Sequence, residues 1–398
     1  MAIEGRANEG RAPGADRRLR LGMVGGGQGA FIGGVHRMAA RLDDRYELVA
    51  GALSSEAGRA LASASELHIA PDRAYRSFQE MAEAEARRPD RIDVVAVVTP
   101  NHMHAPPVRA FAGLGIHVIC DKPLAHRLED AQDMADAVRR AGIVFGLTHN
   151  YTGHPLVRQA REMVAAGELG AIRIVQVEYP QDWLTTRLED TGQKQAAWRT
   201  DPARSGAAGC VGDLGTHAFN LAEFVSGLRC ESLAADLGTF VPGRTLDDNA
   251  HMLLRFAGGA RGMLWSSQVA PGNENALRLR IYGETGSLEW AQEQPNTLVN
   301  APLGEAPRVI RRAGPNASAI AAHASRLPAG HPEGYLEAFG QLYRDLAEQI
   351  TAHIDGRQAD PASMLVPGIE DGLRGMWFIT AAVESSRQDA AWISIPVQ

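Results

Sequence analysis

Cysteine is scarce. Cys120, Cys210 and Cys230 are the only three in 398 residues, odd in number and far apart. That excludes a disulfide framework and suits a reducing compartment, so a cytoplasmic protein is expected. Long apolar runs are missing too: none approaches the roughly 20 residues that span a bilayer, and no membrane partner is expected. There is no excess of positive charge. Forty Lys and Arg stand against 47 Asp and Glu, for a net charge of −7, and no basic stripe offers nucleic acid a footprint.

What is present is organised around LRLGMVGGGQGAFIGGVH, Leu19 to His36. An apolar strand-like run stops at three glycines and a helix-compatible run begins by Ala30. Gly25 and Gly27 take the first two positions of a G-x-G-x-x-G/A pattern and Ala30 the third. On this reading Gly25 allows the sharp turn, Gly27 lets backbone approach a pyrophosphate, and the small Ala30 lets helix pack on strand. Gln28, Gly29 and Phe31 complete the expected phosphate-binding turn, since a helix N-terminus there presents free N–H groups. Arg17-Arg18 before it resembles a twin-arginine export signal, but the supposed signal core is the turn itself. Residues 1–16 are expected to be a disordered arm.

At this length two domains are expected. The second strand, Tyr46 to Leu53, ends in Ser54, Ser55, Glu56 and Arg59 rather than in the acid that usually binds the ribose 2′-hydroxyl of NAD. Hydroxyls near an arginine suit a 2′-phosphate, which weighs slightly for NADP over NAD; Glu56 keeps NAD open. Ile92 to Val98 is a continuous β-branched run that should be buried on both faces. Its end, Thr99, Pro100, Asn101, His102, Met103 and His104, falls on the ligand side of such a sheet. Ile116 to Cys120 is another strand, running into Asp121 and Lys122; a helix over 127–141 and a strand over 143–148 follow. Alternating strands and helices predict an α/β, doubly wound Rossmann domain over 17–148, with Thr99, Pro100, Asn101, His104 and Lys122 on the cofactor side.

The pattern then changes. Helix 155–166, strand 172–179, and strands over 248–256, 261–269, 277–282 and 287–290 joined by Gly-containing turns predict an α+β domain over 149–398 with an antiparallel sheet. Residues 301–334, rich in Pro, Ala and Gly, are expected to form a long surface excursion. Helices 335–354 and 369–386 and a strand 392–397 complete the chain.

Chemistry-bearing residues converge on three places. Lys122 directly follows a Rossmann strand. Asp213 and His217, four apart at a helix start, share one face. Hydride transfer from a secondary alcohol needs a proton acceptor and a cation beside the developing alkoxide, and His217 and Lys122 are of the right types. Two ligand types at one helical spacing make no metal site without further donors, so no metal is expected. Trp198, Arg199 and Asp201 suit stacking on, and bidentate bonding to, a polyhydroxyl substrate. Tyr151, Gln181, Asp182 and Trp183 are further substrate candidates, and His331 and Tyr335 weaker ones.

TPNHMH at 99–104, CDKPL at 120–124 and GDLGTHAFN at 212–220, following the glycine-rich turn in that order, resemble the Gfo/Idh/MocA oxidoreductases. The likeness extends over about residues 19–398, including VPGIEDGLRGMWF from Val366. It implies a Rossmann domain followed by an α/β domain with an open, mostly antiparallel sheet that often forms the oligomer interface, hence a homodimer or homotetramer. It also implies catalytic roles for Lys122, Asp213 and His217. Asp121 stands where the family usually has glutamate, and Asn220, a substrate-side candidate, where aspartate is common. Tyr151-Thr152-Gly153-His154-Pro155 lacks the arginine of the family's Arg-Phe-x-Pro segment. The implied activity is NAD(P)-dependent oxidation of a secondary alcohol on a sugar, glycoside or cyclic polyol. An NAD-dependent glycosidase, a tightly coupled sugar–sugar oxidoreductase and a non-catalytic sugar- or nucleotide-sensing regulator are the alternatives on this fold.

Overall fold

The computed structural model describes residues 17–396, so the expected N-terminal arm lies outside the described residues. The first sheet is parallel throughout, in the order β2-β1-β3-β4-β5. Its units run β1 (Leu19–Gly25), α1 (Phe31–Leu42), β2 (Tyr46–Ala52), α2 (Ala57–Glu66), α3 (Phe78–Ala86), β3 (Val94–Val98), α4 (Ala105–Ala112), β4 (His117–Cys120), α5 (Leu128–Ala141) and β5 (Phe145–Leu147). An isolated parallel bridge from Ala74 to Gly51 marks a vestigial strand outside β2. Every residue of β3 is buried, as its unbroken Val/Ala run requires of a strand covered on both faces. The strand order reverses between β1 and β3, which is where an open α/β sheet binds its ligand.

The second part comprises α6 (Pro155–Ala165), β6 (Ile172–Pro180), α7 (Lys194–Arg199), α8 (Pro202–Ser205), α9 (Thr216–Ser226), β7 (Cys230–Gly238), β8 (Asn249–Phe256), β9 (Arg261–Ser267), β10 (Arg278–Gly283), β11 (Gly286–Ala291), β12 (Thr297–Pro302), β13 (Arg308–Arg311), α10 (Ala319–Ala324), α11 (Tyr335–Ile354), α12 (Ile369–Arg387) and the short β14 (Ile393–Ser394). Its nine strands lie in the order β13-β12-β11-β10-β6-β9-β8-β7-β14, antiparallel except for β6 beside β9. Gly258 and Gly259, both at positive φ, turn β8 into β9 as their pairing in the sequence suggests. Helices α6, α9 and α12 cover one face, burying Val175, Val177, Leu254, Leu264, Phe219 and Phe378 in one core.

Two features depart from expectation. Residues 301–334 are not an excursion. β12 and β13 widen the sheet, and buried Arg312 pairs with buried Glu333 at 2.9 Å. Arg326 bonds Asp43, tying this stretch to the first domain. A Pro-, Ala- and Gly-rich composition hides these ties because each is made to a residue far away in sequence. The last strand is only two residues long, and Val397 lies outside the described residues.

α11 returns to the first sheet: Phe339, Tyr343, Leu346 and Ile350 share a core with Leu21, Met23 and Val94. Tyr343 also accepts a hydrogen bond at its carbonyl from Tyr46 (2.8 Å), and its hydroxyl meets His36 Nδ1 at 2.7 Å.

Candidate active site

The glycine-rich turn joins β1 to α1 at the sheet's switch point. Gly25 pairs with Val98 of β3, and Gly25, Gly26 and Gly29 all have positive φ. The reasons for the other small residues differ from those read in the sequence. A Cβ on Gly27 would fall 2.6 Å from both the Leu53 carbonyl and Ser63 Oγ, so glycine there is demanded by the chain's own packing. The close helix–strand approach assigned to Ala30 belongs to Gly33, where a Cβ would lie 2.3 Å from the Gly26 carbonyl. Ala30 is instead the N-cap of α1, with no capping side chain and no acid in the helix's first turn. The leading N–H groups of α1 are therefore left for an outside acceptor.

Beside them runs a cleft of about 470 Å³ lined by Gly27, Gln28, Gly29, Ala30, Phe31 and Arg37, among others. The uncapped helix end, the glycine-rich turn and this cleft fit the pyrophosphate of a dinucleotide. At the end of β2, Ser54 Oγ accepts from Glu56 N (3.1 Å), and Glu56 caps α2 by accepting from Arg59 N. The Arg59 side chain lies 3.6 Å from the same carboxylate.

At the end of β3, Thr99 and Pro100 are half-buried beside the turn. Asn101 is buried and donates to the Ser205 carbonyl (3.1 Å). His104 is fully buried with Nε2 and Nδ1 each 2.9 Å from a carbonyl, of Thr99 and Pro123 respectively. Asn101 and His104 thus clamp loops together: His104 fastens the loop that carries Lys122 to the end of β3.

Lys122 Nζ donates to Asp213 twice, at 2.7 Å to Oδ1 and 2.8 Å to the backbone carbonyl. Asp213 sits in a π-turn, Val211–Gly215, that leads directly into α9. Its Oδ2 accepts from Arg199 Nε (3.0 Å) and Gln268 Nε2 (3.1 Å). Burial alone would raise its pKa, but Arg199 and Lys122 hold it down at about 2. Asp213 thus shares a helical face with His217 but directs its carboxylate to Lys122 and Arg199, which it fixes. Asp121 likewise resists its burial and stays well below the usual carboxylate range through His36 and Lys122. Its Oδ1 accepts from Lys122 N and Thr148 Oγ1.

His217, in the first turn of α9, is buried, and its Nδ1 has no hydrogen-bond partner among the described residues. Its ring packs 4.9 Å from Tyr151 and 5.3 Å from His149 between centroids. Burial, the Lys122 charge and His149 push its pKa well below the ordinary imidazole value, so the ring is neutral. A polar wall adjoins it. Tyr151 and Tyr179 share a hydroxyl–hydroxyl bond, and Asn275 Oδ1 accepts from Tyr179 (2.7 Å) and Gln181 (2.6 Å). Tyr335, at the start of α11, closes on Tyr151 at 6.3 Å. The Arg199 guanidinium lies 4.3 Å from the Trp198 ring and 5.8 Å from Trp183.

Other sequence candidates lie apart or are taken up by the fold. Asp201 caps α8 through Ala203 N, and Asp182 accepts from Gly272 N. Asn220 lines a separate cleft with Glu223, Phe224 and Met364. His331 is exposed, with its carbonyl bonded to Arg312. Gln268, Asn275, Tyr179 and His149 escaped the sequence reading, since no local motif marks them; only the doubled Gly33-Gly34 inside a helical run hinted at the packing of α1. Among the described residues no group of three or more His, Cys, Asp or Glu is placed to hold a metal ion.

Comparison with known proteins agrees with this geometry. Residues 19–149 match the oxidoreductase family's NAD-binding Rossmann fold, and residues 157–289 the GFO/IDH/MocA C-terminal domain. A solved oxidoreductase from Sinorhizobium meliloti is 53% identical, with a TM-score of 0.87 over 95% of this chain and 99% of its own. An inositol dehydrogenase homolog from Azotobacter vinelandii, solved with NADH and myo-inositol, is 36% identical, with a TM-score of 0.88 over 95% and 98% of the two chains. Levoglucosan dehydrogenase from Pseudarthrobacter phenanthrenivorans is 28% identical over 96% of this chain and 99% of its own. The chain belongs to the Gfo/Idh/MocA family of NAD-binding oxidoreductases.

Proposed function

We propose that this protein oxidises a secondary hydroxyl of a cyclic polyol or sugar, reversibly, with His217 as proton acceptor. The observation that carries the reading is the neutral, buried imidazole of His217 set beside a Lys122 ammonium that Asp213 holds in place. A nicotinamide dinucleotide held by the turn at Gly25–Phe31 would supply the hydride acceptor. The substrate oxygen gives its proton to His217 while Lys122 donates a hydrogen bond to it, favouring alkoxide character. Asp213 keeps the ammonium aimed. Tyr151, Tyr179, Gln181 and Asn275 offer donors and acceptors for further hydroxyls, and Trp198 offers a stacking face beside Arg199, whose Nε and Nη1 are held by Asp213 and Gln195. The myo-inositol and levoglucosan ligands of the relatives are of this class.

Arg59, read from the sequence as a slight case for NADP, lies 3.6 Å from the Glu56 carboxylate, which offsets its charge. That favours NAD, with Glu56→Gln expected to shift kcat/KM towards NADP. The outer face of the large sheet exposes Leu253, its cross-strand partner Met263, and Ile174, which supports self-association through this face. All three cysteines are free and buried, in keeping with a reducing, cytoplasmic setting. A panel of inositols, aldoses and anhydrosugars with NAD and NADP, followed at the reduced-cofactor absorbance, tests the function. Turnover with a polyol or sugar is expected, and no reduction with any of them would refute it.

A further inference from the structure

α7 belongs to the second part of the chain, yet it reaches the glycine-rich turn of the first. Its leading residue, Lys194, is exposed and makes no hydrogen bond or ion pair with any described residue. Even so, its ammonium stands 3.1 Å from the point that a Cβ on Gly29 would occupy. Gly29, one of the turn's three left-handed glycines, lines the 470 Å³ cleft. The acid of that cleft, Glu66, is engaged by Gln28 rather than by the lysine. Two positive features from distant parts of the sequence thus border one space: the uncapped N–H groups of α1 and the free ammonium of Lys194. Such a pair suits an anion that hydrogen-bonds to both.

We propose that Lys194 is a ligand of the cofactor's pyrophosphate, closing over the phosphate turn from the substrate side. This rests on the reading of the turn as the dinucleotide site. The same six-residue helix ends in Arg199, which holds Asp213, so a phosphate gripped by Lys194 also fixes the helix that supports the reaction centre.

Titration calorimetry of the full chain with ADP-ribose, which carries the pyrophosphate and no nicotinamide, separates the possibilities. Lys194→Ala should weaken ADP-ribose by about tenfold, the loss expected for one charged hydrogen bond, and should flatten the salt dependence of binding. Lys194→Arg should recover most of the affinity. Adenosine, measured by competition, should bind the wild type and Lys194→Ala alike, and the thermal unfolding of the two proteins without ligand should coincide. Unchanged ADP-ribose affinity in Lys194→Ala overturns the proposal, as does an equal loss for adenosine. A loss confined to 2′-phosphorylated ligands overturns it too, since the lysine would then read the ribose phosphate. Failure of the wild type to bind ADP-ribose would instead remove the dinucleotide reading of the turn.

Discussion

Gly33 and Gly34 are neighbours in α1 that should respond to alanine with opposite signs. A Cβ on Gly33 would lie 2.3 Å from the Gly26 carbonyl oxygen and 2.4 Å from Gly26 Cα, about 1 Å inside ordinary van der Waals contact. Both obstacles are backbone, so no side-chain rotation relieves them; helix and turn must separate. Alanine's helix propensity returns about 1 kcal/mol. Overpacking of a tight contact costs roughly 1–3 kcal/mol, and a backbone–backbone clash belongs at the upper end. Gly33→Ala should therefore be destabilised by about 1–2 kcal/mol net, the difference of those two terms. It should also bind ADP-ribose at least tenfold more weakly, because the displaced element is the phosphate turn. At Gly34 a Cβ meets nothing within 4 Å, so Gly34→Ala should gain up to about 1 kcal/mol and bind normally. Urea unfolding with calorimetry on both variants decides the matter. A Gly33→Ala protein as stable as wild type with unchanged affinity would refute the assignment of Gly33 as the close-packing residue.

Other outcomes follow from the site. His217→Ala should lower kcat by about 10²–10⁴ while ADP-ribose binding survives; near wild-type kcat would place the base elsewhere. Because burial, Lys122 and His149 hold the His217 pKa down, oxidation by wild type should persist as pH falls through the ordinary imidazole range, and Lys122→Met should move the acid limb of its residual activity upward. Burial likewise holds His149 and His154 at about 3 and His117 at about 4. These rings are neutral in the folded chain and protonate near 6.5 when unfolded, so the unfolded state binds more protons below that pH and stability falls with acid. From pH 6.5 to 5 the loss should be about 2 kcal/mol for each histidine, and it continues towards the folded values. A urea midpoint unchanged between pH 7 and pH 5 would show that these rings are not buried as neutral groups.

Local pattern made much of this protein legible in its sequence. A strand that stops at Gly25, the all-apolar 94–98 run and the Gly258-Gly259 turn each announce themselves, because the physics is contained within a few consecutive residues. The order of the motifs around Lys122, Asp213 and His217 then pointed to the family. Long-range packing decided the rest. Ala30 against Gly33 is settled by where α1 meets the turn, which spacing alone does not reveal. Asp213 and His217 share a helical face, but the carboxylate turns to Lys122, Arg199 and Gln268, and only the meeting of β4, α7 and the end of β9 makes those partners available. Arg312 and Glu333 order a stretch whose composition suggests a loop. α11 folds back onto β1 and β3 after more than 180 residues of the other domain because its apolar stripe finds its core there. In each case the chain names its own elements, while which of them face one another is a property of the assembled structure.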